Sequence, residues 1–314
     1  MAPDPKVTLI ISTRDRPEYL CLAVKTAVKQ TRKFSRIIIS DNSSSAAFKS
    51  QNKEKLKSII DDQNGFVEII PTPGDMQSDV HTKYIQDNYL GESDFVTLFH
   101  DDDELFPTYL QRALHQFKHD RTIVAVGLNA RIMIDRNIQK RTLVGKISGE
   151  KTLTNKKDFI ETYMDIGPIS PPPFCGYMYR TSVFKLMSVD SAIGGKYSDV
   201  VGLTQLFDFG NIRWVFDPQL YYRLHSAQDS ATPSTLDFRN LYNFMHKVLQ
   251  TSDSKIFTEI YRFKHIRLMF RHLLKRQKFM SAYIAGKYLV CFTLKKLIWR
   301  HQTYQYIWRK IAKR

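Results

Sequence analysis

DFVTLFHDDD (94–103) is the stretch on which the fold turns. An apolar run with β-branched and aromatic residues, closed by His100 and three consecutive aspartates, describes a short buried strand that ends abruptly in charge. The same pattern recurs upstream. RIIIS (36–40) runs into Asp41-Asn42-Ser43, and VTLIIS (7–12) runs into a turn from Thr13 to Pro17. FVEII (66–70) and TIVAVGL (122–128) read as further strands. Between the strands lie segments of helical spacing: PEYLCLAVKTAVKQT (17–31), with proline at its favoured first position, a polar helix over 46–62, VHTKYIQDNYL (80–90) and PTYLQRALHQF (107–117). Strands alternating with helices predict an α/β fold with a mostly parallel sheet flanked by helices. Such sheets bind ligands beyond the carboxyl ends of their strands, and Asp41 and the triple aspartate both fall on that rim.

The chain has 314 residues and a net charge of +16, and its three cysteines, Cys21, Cys175 and Cys291, are far apart. That usage predicts a reducing compartment and argues against a disulfide framework or a structural zinc site. No charged segment followed by a long apolar run opens the sequence, so no secretory signal is expected. No stretch reaches the roughly 18 apolar residues of a membrane span. The charge is unevenly placed. From Tyr261 to Arg314 there are fifteen Lys or Arg and no Asp or Glu, which leaves the first 260 residues close to neutral.

Two hard oxygen donors at alternate positions of an extended segment, Asp101 and Asp103, suit Mg²⁺ or Mn²⁺. An acidic turn, or a cap for the helix that begins near Pro107, would use the same residues. Asp41 reads either as a turn former or as a carboxylate that bonds a nucleotide base or ribose.

TLIISTRDRPEYLCLAVKTAVKQT, then IIISDNSSS, then FVTLFHDDDELFP, resembles the family 2 glycosyltransferases with the GT-A fold. Further on, GGKYSDVVGLTQL and LYYRLHSAQDS resemble that family's acceptor-side acidic motif and its YRxH segment. Each motif is loose alone; their order is specific, and the likeness spans about residues 5–232. It implies that Asp41 contacts the base, with Thr13 and Arg14 lining the same pocket. It places Asp101, with Asp102 beside it, near the ribose and metal, makes Asp103 the principal metal ligand, and brings His225 to the metal or the donor diphosphate. Asp199 would be the general base that deprotonates the acceptor hydroxyl, giving an inverting transfer. The implied cofactor is Mg²⁺ or Mn²⁺, and the implied donor a UDP-linked sugar. Two positions depart from the family. Ser198 stands where Glu is frequent, which leaves Asp190 and Asp208 as alternatives to Asp199. DVHTKY stands where an asparagine usually faces the donor, which leaves His81 and Lys83 as candidates for that place. The PPPFCGY run (171–177) reads as a rigid loop near the acceptor cleft.

The expected organisation is a catalytic domain over 1–235, its nucleotide half about 1–103 and its acceptor half about 104–235, followed by a helical basic extension over 236–314. In that extension Trp299, Tyr304, Tyr306 and Trp308 beside Arg300, Arg309 and Lys310 suit a membrane interface. The partners this predicts are a glycan or lipid-linked acceptor of surface polysaccharide or lipopolysaccharide assembly and an anionic membrane touched through 261–314. No nucleic acid is expected. The setting is cytoplasmic, peripheral on the inner face of the cell membrane. A helical bundle packed on the body is the plainer reading of the same tail. Rival functions are a non-catalytic nucleotide- or glycan-binding protein of the same fold, and a nucleotidyltransferase. STRDRPEYL lacks the glycine-rich phosphate loop that the last would need.

Overall fold

A computed structural model describes residues 3–63, 65–134, 136–145, 148–164, 170–225, 234–249, 261–262, 266–267, 270, 274 and 279–298. Each predicted strand and helix of the first half is present. They run β1 (Val7–Thr13), α1 (Pro17–Val28), β2 (Arg36–Asp41), α2 (Ala46–Asp62), β3 (Val67–Pro71), α3 (Ser78–Asn88), β4 (Phe95–His100), β5 (Glu104–Leu105) and α4 (Tyr109–His119). Then follow β6 (Ile123–Ile134), β7 (Asn137–Thr142), β8 (Glu150–Leu153), α5 (Lys156–Met164), β9 (Tyr177–Arg180), α6 (Thr181–Phe184), α7 (Ser191–Gly194), α8 (Ser198–Gln205), β10 (Asn211–Leu224) and α9 (Thr235–Val248).

Ten strands form one sheet with the order β3-β2-β1-β4-β9-β6-β10-β5, and β7 and β8 are attached to β6 and β10. The parallel arrangement holds among β3, β2, β1 and β4. Past β4 the sheet is mixed: β9 lies antiparallel to both β4 and β6, while β6 and β10 run parallel. Alternation along each strand divides the core in two. Leu9, Ile11, Ile37 and Ile39 pack on one face; Ile10, Ile38, Val96 and Leu98 pack on the other. Both faces are covered, which is why these strands read as continuous apolar runs. α1 buries Leu20, Ala23, Val24 and Ala27, the three-and-four spacing that marked it in the sequence. Ser45 caps α2 by accepting from the Phe48 amide.

Register sets the rim. Thr13 pairs with Asp41 across β1 and β2, and Ser12 pairs with His100 across β1 and β4. The three strands therefore end level, and their next residues share one edge. β10 is long, with an irregularity between Val215 and Leu220, and its end carries Arg223 toward the same edge.

α9, which the sequence assigns to the extension, contributes Leu241 and Met245 to the core cluster that also holds Trp214 and Phe184. A capping box at Ser234 and Asp237 starts it, and the Asp237 carboxylate also accepts from the Lys196 amide. A last helix, Phe279–Ile298, is described beyond it. Among the described residues no helix is long and apolar enough to cross a membrane. Trp299, Arg300, Tyr304, Tyr306, Trp308, Arg309 and Lys310 lie outside the described residues.

Candidate active site at the aspartate turn

The three aspartates after β4 take three different sets of partners. Asp101 is buried, and its Oδ2 accepts from the Thr13 hydroxyl at 2.7 Å and the Arg14 amide at 3.2 Å. Arg16 Nη1 reaches Asp101 Oδ1 at 3.3 Å and Asp102 Oδ2 at 2.8 Å, so one guanidinium bridges two carboxylates. Local backbone makes this possible. Asp15 adopts a left-handed conformation, φ +59°, which turns the chain between Arg14 and Arg16. Ser43 and Ser44 hold the turn: the Asp15 amide donates to Ser43 Oγ, and the Ser44 amide donates to Asp15 Oδ1.

Asp102 Oδ2 also lies 3.0 Å from His225 Nε2. Asp103 turns inward, where the Cys175 thiol donates to Oδ2 at 2.9 Å and the Arg223 amide donates to Oδ1 at 2.8 Å. Arg223 locks the turn. Its Nε donates to the Asp102 carbonyl at 2.8 Å, its guanidinium pairs with Glu104, and that cation sits 4.9 Å from the Tyr19 ring centre. In the sequence this arginine was only the neighbour of a candidate histidine.

The electrostatics follow. Burial, and then the charge of Asp102, push Asp101 up to about 7. The same two causes raise Asp103 well above the carboxylate range. Burial acts on Asp102 as well, but His100, His225 and Arg16 hold its carboxyl below the usual value. Three adjacent buried carboxylates share too little positive charge for all to ionise.

A divalent cation would correct that deficit, and the donors present suit one. His100 and Asp103 offer a ring nitrogen and a carboxylate oxygen within 4.8 Å of each other, the Cys175 sulfur completes that group as a protonated donor to Asp103, and Asp102 with its partner His225 adjoins it. Carboxylates with an imidazole fit Mn²⁺ more readily than Mg²⁺, which demands near-ideal octahedral oxygen coordination. His225 meets Asp102, the residue between the Asp101 and Asp103 with which the sequence groups it as a ligand.

Asp41 is buried at the end of β2, with Oδ1 accepting from the Ser43 amide and Oδ2 from Asn52 at 3.1 Å. Arg14 lines this edge by its backbone; its side chain reaches Asp75 at 2.7 Å. His81 is the α3 residue directed at the same strand end, 2.7 Å from Ser40 Oγ, and burial lowers it to about 4, so it is neutral. Lys83 is exposed and pairs with Asp87. Of the two candidates for the asparagine's place, His81 is the one beside Asp41's strand.

Asp199 lies in the first turn of α8 and takes no part in the hydrogen bonds of the aspartate turn. Burial raises it to about 6 against the pull of the Val200 amide and its own. Its charge acts on Tyr163, Tyr177, Tyr179 and Tyr197, whose hydroxyls burial has already pushed upward. The alternatives have other work. Asp190 caps α7 through the Ala192 and Ile193 amides, and Asp208 is exposed and paired with Lys156.

The PPPFCGY loop borders the aspartate turn through Cys175. Gly176 is required there, because a Cβ would lie 2.6 Å from the Leu128 carbonyl oxygen. Arg16, Cys175, Asn52 and Arg223 are the residues that sequence reasoning missed. The repeated charge of TRDR was a signal for Arg16. Cys175 is 72 residues from its partner, and nothing local marks it.

The glycosyl transferase family 2 profile matches residues 8–186, more than half of the chain. No curated protein matches it in sequence. Among solved structures, S. aureus TarS 1-349 in complex with UDP-GlcNAc aligns with a TM-score of 0.56 at 13% identity, over 83% of this chain and 73% of that one. GalNAc-T7 with UDP, GalNAc and Mn²⁺ aligns with a TM-score of 0.55 at 13% identity, over 83% of this chain and 51% of that one. At such identity the likeness is one of fold: a central α/β sheet flanked by helices, of the GT-A type.

Proposed function

The chain belongs to glycosyl transferase family 2, and from that premise we propose that it moves a sugar from a UDP-linked donor to a hydroxyl of a glycan or lipid-linked glycan. The observation that carries the reading is the meeting of Thr13, Asp41, Asp101, Asp102, Asp103 and His225 at one sheet edge, from β1, β2, β4 and β10. UDP complexes among the structures of the same fold support the nucleotide, and Mn²⁺ in one of them supports the metal.

In this reading Asp41 accepts from the base, using lone pairs that Ser43 and Asn52 leave free. Thr13 and Arg16 fix Asp101 beside the ribose. Asp103, with Asp102 and His225 beside it, would hold Mn²⁺ or Mg²⁺. An ion held there would supply positive charge against the negative charge that grows on the departing diphosphate. Asp199 removes the proton from the acceptor hydroxyl as its oxygen attacks the anomeric carbon. Attack opposite the leaving group inverts the anomeric configuration, which NMR of the product reads directly. The acceptor belongs to surface polysaccharide or lipopolysaccharide assembly, met at the cytoplasmic face of the membrane.

The test is thermal stability against UDP-, GDP- and CMP-linked nucleotides with and without Mn²⁺. A shift that needs both UDP and metal is expected; no shift with any nucleotide sinks the donor-site reading. A non-catalytic binding protein, the reading that Ser198 leaves open against the intact Asp101, Asp103, Asp199 and His225, would give the shift without metal-dependent donor hydrolysis that Asp103→Ala abolishes.

A further inference from the structure

The helix Phe279–Ile298 is built inside out. Its inward face is small: Ala282 is 2% exposed, Ala285 is buried, and a Cβ on Gly286 would stand 3.3 Å from the Phe270 ring. Its outward face is large. Phe279, Met280, Tyr283, Ile284 and Tyr288 are exposed, Met280 to 74%. Positions 279–280, 283–284 and 287–288 recur every four residues and so form one stripe. A helix that served only to pack on the body would show the reverse.

We infer that this stripe docks the protein flat on a membrane surface rich in anionic lipid. Charge decides the occupant. The last 54 residues hold fifteen Lys or Arg and no acidic residue, so a second copy of this chain would bring like charge against like. Anionic headgroups bring the opposite. The cations sit where a bilayer would meet them: Lys287 Nζ lies 5.3 Å from the Tyr283 ring centre, and the Arg262 guanidinium 4.9 Å from that of Tyr288. Long basic side chains over aromatic rings keep their charge at headgroup level while the rings enter the interface. The helix does not qualify as a membrane span, so it lies in the plane. The inference deepens the membrane side of the proposed function and rests on that reading only for its purpose.

The test uses the full chain, without acceptor, sedimented with vesicles of phosphatidylcholine alone or mixed with phosphatidylglycerol. Wild type should bind the anionic vesicles, bind neutral ones weakly, and come off with salt. Met280→Ser with Ile284→Asp should lower partitioning by about tenfold or more at an unchanged melting temperature. If that variant does not fold, Met280→Asp alone replaces it. Equal binding by wild type and variant, or no binding by wild type, overturns the inference. So does a wild-type dimer in light scattering that the variant converts to monomer. The UDP- and Mn²⁺-dependent melting shift, measured on the same proteins, reads the donor site separately.

Discussion

The aspartate turn and Asp199 solve opposite problems. At the turn, every carboxylate is caught by donors from other segments: Thr13, Arg14 and Arg16 on Asp101, Arg16 and His225 on Asp102, Cys175 and Arg223 on Asp103. Among the described residues Asp199 has helix amides to steady its charge, and the buried Tyr177 and Tyr179 lie near it. The hydroxyls of Tyr177 and Tyr179 find no hydrogen-bond partner among the described residues. One arrangement gathers negative charge beyond what its own cations offset, and so attracts positive charge. The other makes a carboxylate reluctant to ionise, and so inclined to take a proton.

The largest effect that separates the two is expected at Asp199. Asp199→Asn should lower kcat by about 10²–10⁴-fold, the usual worth of a general base, with little change in donor-dependent melting. The wild-type rate should fall as pH drops through about 6, where Asp199 protonates. The variant should also melt higher at neutral pH. Asp199's folded value lies above its ordinary one, so ionisation favours the unfolded chain. The gain should grow from about pH 4 to about pH 6 and then level off. A variant that is inactive and also less stable would break the comparison.

Arg16→Met tests the other side. It leaves two carboxylates without their shared guanidinium and should cost on the order of 2 kcal/mol in the presence of a chelator. Mn²⁺ should recover more stability in this variant than in wild type. Equal recovery in both would mean that the turn is not short of positive charge. Asp102→Ala, read by Mn²⁺ titration without donor, should weaken metal binding by about 10–100-fold. The smallest effect is expected at Cys175. Cys175→Ser keeps a donor to Asp103 and should change stability by less than about 1 kcal/mol, whereas Cys175→Ala should cost about 1–3 kcal/mol.

Much of this was legible in the sequence, for reasons of range. VTLIIS, RIIIS and DFVTLF announce themselves because strands covered on both faces must be apolar throughout. Asp41 and the triple aspartate follow directly from where those strands stop. What the sequence hid depends on side-chain direction. Asp102 and Asp103 are adjacent and chemically identical, yet one meets His225 and the other a thiol. Asp190, Asp199 and Asp208 stand as alternatives in the sequence; in the fold Asp190 caps α7 and Asp208 pairs with Lys156 at the surface. The antiparallel insertion of β9 between β4 and β6 was equally hidden, since YMYR is short and carries no pattern of its own.

That strand has a consequence for how such chains can diverge. Just ahead of it Cys175 meets the aspartate turn, while Tyr177 and Tyr179 lie on the opposite core face near Asp199, Tyr177 against Gly127. A single helical turn at Phe174–Gly176 makes that switch of face, and from Tyr177 the side chains alternate, Met178 lying on the face of Cys175, so one inserted residue would exchange the two faces. Substitution can be absorbed in this stretch; a change of length cannot. Homologous chains should therefore tolerate insertions in the surface loops while the interval from Cys175 to Arg180 stays constant, whatever residues fill it.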